Sequence, residues 1–166
     1  MIERLRDMAP VMAVVGDEME RHVSDNFREQ SDPWGNDWRP WSPHTRRLYE
    51  RGGFQGRLRA MPQKILMNTG ALRSVHPSHT SHAAQVAAGG SAAKYAHVQQ
   101  FGNPRNRLPN KATIGSGKRK GQPTNPAPIP PRPFMPIRPD GSMDFPAELV
   151  EDIKDLLSAY ILTGAE

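Results

Sequence analysis

Two short stretches decide the fold of this chain: Lys94-Tyr95-Ala96-His97-Val98-Gln99-Gln100-Phe101-Gly102 and Ile129-Pro130-Pro131-Arg132-Pro133-Phe134. The first reads as a short helix capped by Ser91, with Tyr95, Val98 and Phe101 on one face and Gly102 as a left-handed stop. The second reads as the proline-stiffened start of a strand. Phe134 is its core residue, and Arg132 its anchor, because a planar guanidinium satisfies several carbonyls or a carboxylate at once. Eight prolines fall among residues 123–139, which forces extended backbone short of ladder donors. Phe134, Met135 and Ile137 then suit a sheet edge.

Working outward, Leu72–His76 and Ala83–Ala88 read as a hairpin joined across Pro77-Ser78-His79-Thr80 and ended by Gly89-Gly90. A helical turn is expected from Gln63 to Asn68, closed by Gly70. Residues 31–43 hold all three tryptophans, Trp34, Trp38 and Trp41, among Pro33, Pro40 and Pro43. That composition predicts an ordered loop laid over the sheet or a neighbouring subunit, followed by a short helix over Thr45–Arg51. Towards the N-terminus, residues 2–8 read as a short helix, and Pro10 fits the first turn of a longer one ending near Gln30. Met12, Val15, Met19, Val23 and Phe27 form its apolar stripe. Asp144 and Pro146 open a C-terminal helix striped by Leu149, Ile153, Leu156 and Tyr160 and stopped by Gly164. Its outer face carries Glu148, Glu151, Asp152 and Asp155.

These elements predict an α+β fold: terminal helices packed on a small antiparallel β-sheet, with a middle helix and a long Pro/Gly-rich basic loop. A length of 166 residues suits one domain. Its parts are N-terminal helices (1–30), a Trp/Pro-rich loop and short helix (31–62), hairpin and helix (63–102), a basic extended loop (103–128), and a proline-rich strand with the C-terminal helix (129–166).

Charge is unevenly distributed. The chain carries 22 basic and 17 acidic residues, a net charge of +5. Arg105, Arg107, Lys111, Lys118, Arg119 and Lys120 lie in one acid-free run, and without these six the balance is 16 basic to 17 acidic. Three readings fit this run: docking to an acidic partner surface, non-specific contact with nucleic-acid phosphates, or a solvated loop. Aromatic residues for stacking on bases are missing from it, which disfavours base-specific or single-strand recognition. Zero cysteines exclude disulfides and thiolate chemistry and suit a reducing compartment. No apolar run approaches the roughly 20 residues of a membrane span, and the charged N-terminus lacks a signal-peptide apolar block. A soluble protein, cytosolic at synthesis, is expected.

Catalytic constellations are incomplete. His76, His79 and His82 are spaced so that successive imidazoles on a strand face opposite ways, and no cysteine or nearby carboxylate completes a zinc set. Solvated hairpin histidines are the expectation. Gly115-Ser116-Gly117-Lys118 resembles a phosphate loop only superficially, since the glycine spacing and the preceding apolar strand are missing. No nucleophile, base and orienting group fall into a known pattern. The reading is a protein without enzymatic activity or cofactor.

The ordered set Trp38, Thr69-Gly70-Ala71-Leu72, Tyr95-Ala96, Phe101-Gly102 and Ile129-Pro130-Pro131-Arg132-Pro133-Phe134 resembles the virion morphogenesis, or tail completion, family of Mu-like tailed bacteriophages. The likeness spans nearly the whole chain, although three tryptophans and extra prolines depart from the family's loop. It implies a structural virion protein of the neck or tail end, assembled in the host cytoplasm. Such a protein completes the tail or joins head to tail as a homo-oligomeric ring, with a hexamer favoured, beside other neck or tail proteins. Trp38, Gly70, Leu72, Tyr95, Phe101, Gly102, Arg132 and Phe134 become its structural motif. The six cations from Arg105 to Lys120 become candidate partner-binding residues. A small basic nucleic-acid-binding protein is the alternative, and a metal-dependent hydrolase a third reading.

Overall fold

The computed structural model describes residues 7–50, 64–67, 70–104 and 128–163. Its spine is helix α1, Ala9–Glu29, with Pro10 in the first turn, where a missing N–H removes no intrahelical bond. Most of the expected helix over residues 2–8 lies outside the described residues, and Asp7-Met8 are not helical. Gln30 ends α1 in the left-handed conformation, φ 65° and ψ 31°. Its side chain holds it there, donating to Phe27 O at 2.7 Å and to Ile65 O at 3.3 Å.

The buried face of α1 differs from the simple stripe. Val11, Val15, Gly16, Val23, Asn26 and Phe27 are buried, whereas Met12 and Met19 are half-buried. The reason is that α1 packs against both the hairpin and the C-terminal helix, so its covered surface is wider than one seam. Gly16 admits the hairpin closely: a Cβ there would lie 3.3 Å from Pro77 Cβ.

Helix α2, Pro43–Glu50, starts two residues before the expected position because Ser42 caps it, its Oγ accepting the Thr45 N–H at 3.1 Å. Residues 64–67 form a turn in place of the expected helix, with Leu66 at φ 61°; Gln63 and Asn68 lie outside the described residues. Gly70, at φ 76°, opens the next turn rather than closing a helix. Its carbonyl accepts N–H groups from Arg73 and Ser74 at 3.1 and 3.2 Å. That turn consumes Leu72, which is buried but precedes the sheet.

Strand β1 is therefore Val75–His79, three residues later than the sequence suggested, and pairs antiparallel with β2, Ala84–Ala88. Pro77 and His79, expected in the turn, are strand residues. The turn itself is Thr80–Ala83: Thr80 N donates to Ala83 O at 2.8 Å, and Thr80 Oγ1 accepts Ala83 N–H at 3.1 Å.

Gly90–Ala92 form a 3-10 turn leading into α3, Ala93–Phe101. Ser91 sits inside that turn, and neither element has a side-chain cap at its N-terminus. The extra turn changes which face of α3 is inward. Ala92 and Gln100 are buried and Ala96 packs on the core, while Tyr95 is 38% exposed. Phe101 is half-buried, edge-on to His97 at 4.9 Å.

The segment 128–137 is not a strand. It makes an isolated bridge between Asn103 and Ile129, and Ile137 bridges Met143; its prolines remove the donors a ladder needs. Helix α4, Ala147–Thr163, buries Leu149 and Tyr160, and the Tyr160 hydroxyl donates to Asp7 O at 2.9 Å. The result is α+β, with helices around a two-stranded antiparallel sheet. Its core joins Val23, Phe27, Trp38, Leu72, Val75, Ala92, Phe134 and Met135. Among the described residues, no helix is long and apolar enough to cross a membrane.

His22 lies half-buried on α1, and its Nε2 meets no hydrogen-bond partner. Desolvation pushes its pKa below the ordinary 6.5, outweighing the pull of Glu148, Asp25 and Glu18, with Arg21 adding to the depression. The unfolded chain therefore takes the proton first. Stability from this group is complete above the unfolded value of about 6.5 and falls as pH drops below it towards the folded value. Urea midpoints measured on acidification below about pH 6.5 should fall more steeply for the native chain than for His22→Gln.

Candidate functional site

Among the described residues, the densest set of buried polar contacts surrounds the proline-rich segment, and its centre is Gln100. This side chain is 4% exposed. Its Nε2 donates to Met135 O at 2.7 Å and Ile137 O at 3.2 Å, and its Oε1 accepts the N–H groups of Phe134 and Met135 at 3.0 and 3.1 Å. One amide thus does for the segment what a neighbouring strand would do. Asn26 of α1, 5% exposed, donates to Phe134 O at 3.2 Å, and Trp38 Nε1 donates to Pro133 O at 2.6 Å. Arg132 N–H bonds Gln99 O at 2.8 Å.

Apolar contacts lock the same place. Phe27 meets Trp38 edge-on, ring centroids 5.3 Å apart at 80°, and meets Phe134 at 5.4 Å and 48°. Such pairs contribute about 0.5–1.5 kcal/mol beyond their burial. Phe134 is 1% exposed and Trp38 4%. Trp34, 39% exposed, donates from Nε1 to Asp144 O at 3.2 Å, so the tryptophan loop spans from the core to the lead-in of α4.

Arg132 is 7% exposed. Its Nε donates to Arg39 O at 2.9 Å, with a longer contact, 3.5 Å, from Nη2 to Pro40 O. Burial and the nearby Arg39 charge lower its pKa, yet a guanidinium stays cationic under all ordinary conditions. It ties the proline-rich segment to the tryptophan loop through carbonyls.

Gly102 stands where the two cassettes touch, at φ 73° and ψ 177°. A Cβ there would lie 2.7 Å from Ile129 O and 2.8 Å from Pro131 N. It is extended with a positive φ, not the left-handed cap expected. Beyond it, Asn103 and Ile129 exchange hydrogen bonds of 2.8 and 3.1 Å.

Of the motif residues, Trp38, Leu72, Arg132 and Phe134 are buried and converge here, and Gly102 abuts them; Gly70 shapes a turn, Phe101 is half-buried, and Tyr95 faces outward. The six cations Arg105, Arg107, Lys111, Lys118, Arg119 and Lys120 lie outside the described residues. Sequence reasoning missed Gln100 and Asn26. A usable signal existed: a buried run rich in prolines needs side-chain donors, and Asn26 lies three positions beyond Val23 and Gln100 four beyond Ala96, each on a covered helix face.

A second feature is a cleft of about 450 Å³ between α1, the tryptophan loop and the start of α4. Asp25, Glu29, Asp32, Glu148 and Asp152 line it with Arg21 and His22. Arg21 bonds Glu18 and reaches Asp25 at 3.5 Å and Asp152 at 3.7 Å. These exposed pairs contribute little individually. Among the described residues, no group of three His, Cys, Asp or Glu is placed to hold a metal ion.

This clamp of side chains on the proline-rich segment yields four measurable expectations. Gln100→Leu should destabilise the fold by about 1–3 kcal/mol for each buried group left unpaired. Gln100→Glu should recover part of its loss on acidification, when a protonated carboxyl can again donate. Phe134→Ala should cost about 3–5 kcal/mol, and Gly102→Ala about 1–3 kcal/mol from backbone strain. Chemical denaturation of each variant measures these losses, and an unchanged midpoint would place the residue outside the core.

No curated protein and no solved structure matches this chain. The profile of the phage virion morphogenesis family matches residues 1–161. That span contains both cassettes, the clamp that joins them and nearly all of α4. The chain belongs to the phage virion morphogenesis family, whose members serve in building the phage particle.

Proposed function

We propose that this protein is a non-enzymatic structural component of the phage neck or tail end, working as a homo-oligomeric ring, sixfold in symmetry, that completes the tail or joins it to the head. It takes no cofactor and meets neighbouring neck or tail proteins. Family membership over residues 1–161 carries this reading. The fold supports it physically: the core is small, and the buried polar cluster around Gln100 positions backbone rather than a reactive group. Opposite charges at separate places on one subunit also suit head-to-tail contacts. The exposed face of α4 carries Glu148, Glu151 and Asp155, and the cationic run from Arg105 to Lys120 carries six positive charges and no acid.

A reconstruction of the assembled particle tests the ring directly. Six copies about the axis at the neck or tail end are expected, and a single copy or none there would overturn the reading. Replacing Lys118, Arg119 and Lys120 with alanine should leave the melting temperature nearly unchanged, since the run has no apolar periodicity to build a core, while lowering the yield of joined, infectious particles. Full yield from the triple variant would return the run to the class of solvated loops.

A further inference from the structure

The two edges of the hairpin are built differently. Its register pairs Val75 with Ala88, His76 with Ala87, Pro77 with Val86, Ser78 with Gln85 and His79 with Ala84. In an antiparallel ladder, hydrogen-bonded and non-hydrogen-bonded pairs alternate. The Thr80 N–H bond to Ala83 O at 2.8 Å marks the 80/83 pair as bonded, so 78/85 and 76/87 are bonded too. Pro77, which has no N–H, falls on a non-bonded pair with Val86. By the same parity, the N–H and C=O groups of Ala84, Val86 and Ala88 point away from β1. They meet no backbone partner among the described residues outside the hairpin.

The β1 edge is blunted. Pro77 offers no donor, and the Val75 N–H is already bonded to Arg73 O at 2.9 Å. The β2 edge, Ala84-Gln85-Val86-Ala87-Ala88, carries no charge, no proline and no bulge, the devices that ordinarily keep an edge from adding another strand. Gln85 and Ala87 are exposed on the outer face, and Ala84, Val86 and Ala88 are half-buried on the inner face, where Val86 and Ala88 pack against the core.

We propose that two copies of this chain pair through their β2 edges, antiparallel about a two-fold axis at Val86. The strand is self-complementary in this register. Val86 faces Val86 of the second copy, Ala84 faces Ala88, and every outward N–H of the three meets an outward C=O. Only alanine and valine meet on the inner side, so nothing bulky keeps the backbones apart, and the half-buried margin becomes covered. The four-stranded sheet that results ends at Pro77 on both sides. Addition stops at two copies, which is why a second copy fits this edge better than an unrelated extended segment. A two-fold contact does not generate a ring, so the pairing belongs to the free subunit and stands independently of the ring reading.

Light scattering on the purified full chain should give the mass of a dimer. Val86→Pro removes an outward donor at an edge position that proline tolerates, together with part of a side chain that packs against the core. It should therefore halve the mass and lower the melting transition only slightly, whereas Gln85→Pro also breaks the internal ladder and should lower it much further. Because the chain contains no cysteine, Gln85→Cys and Ala87→Cys chains can be mixed and oxidised. In the proposed register, positions 85 and 87 face each other as a non-hydrogen-bonded pair, within disulfide reach. Only the mixture should cross-link. A monomeric native chain, or cross-linking of Gln85→Cys to itself in place of the mixed pair, would overturn the proposal, and the cysteine arm decides it even if Val86→Pro fails to fold.

Discussion

Every carbonyl of a buried backbone needs a donor whether or not its own chain can return the favour, and in residues 133–137 that requirement organises the molecule. Two of these five residues are prolines, so no ladder can serve them. Pro133 O is met by Trp38, Phe134 O by Asn26, Met135 O and Ile137 O by Gln100, and Pro136 O by the Asp144 N–H at 2.9 Å. The donors come from α1, the tryptophan loop, α3 and the lead-in to α4. Four distant parts of the chain are thereby fixed relative to one another by one short segment. Removing a single donor strands a buried carbonyl, which costs more than the bond itself contributed in net terms.

Helix α1 carries the complementary apolar role. Phe27 sits against both Trp38 and Phe134, and Asn26, its neighbour, supplies the polar contact to the same segment. Adjacent positions on one turn thus present an apolar and a polar group to one target. At the other end, Gly16 lets the hairpin approach, and α4 lies along the same helix, where burial lowers the pKa of the half-buried His22. A single helix touching hairpin, proline-rich segment and α4 explains why a small core suffices.

The sequence revealed elements better than it revealed faces. Periodicity located α1 and α4, and the hairpin was visible as two apolar runs, because those signals are local. β1 was misplaced by three residues because Gly70 draws Leu72 into a turn, and Pro77 looked like a turn residue although an edge strand accepts it. The inward face of α3 was misread for a different reason. Tyr95 is the larger apolar residue, but the facing segment needed an amide more than a ring, so Gln100 occupies the buried position. Long-range demand of that kind leaves no periodic trace; only the proline count hinted at it. The cationic run is legible as charge alone, since Arg105 to Lys120 lie outside the described residues.

The mutual hydrogen bonds of Asn103 and Ile129 have an evolutionary corollary. They hold the two ends of the intervening stretch at the spacing of a bonded antiparallel pair, about 5.5 Å between Cα atoms. The body of the fold thus fixes where both of those ends lie. Lengthening such a stretch costs only about 0.6 kcal/mol per doubling. Changes of length between Asn103 and Ile129 therefore meet a fixed anchorage at each end rather than a moving one.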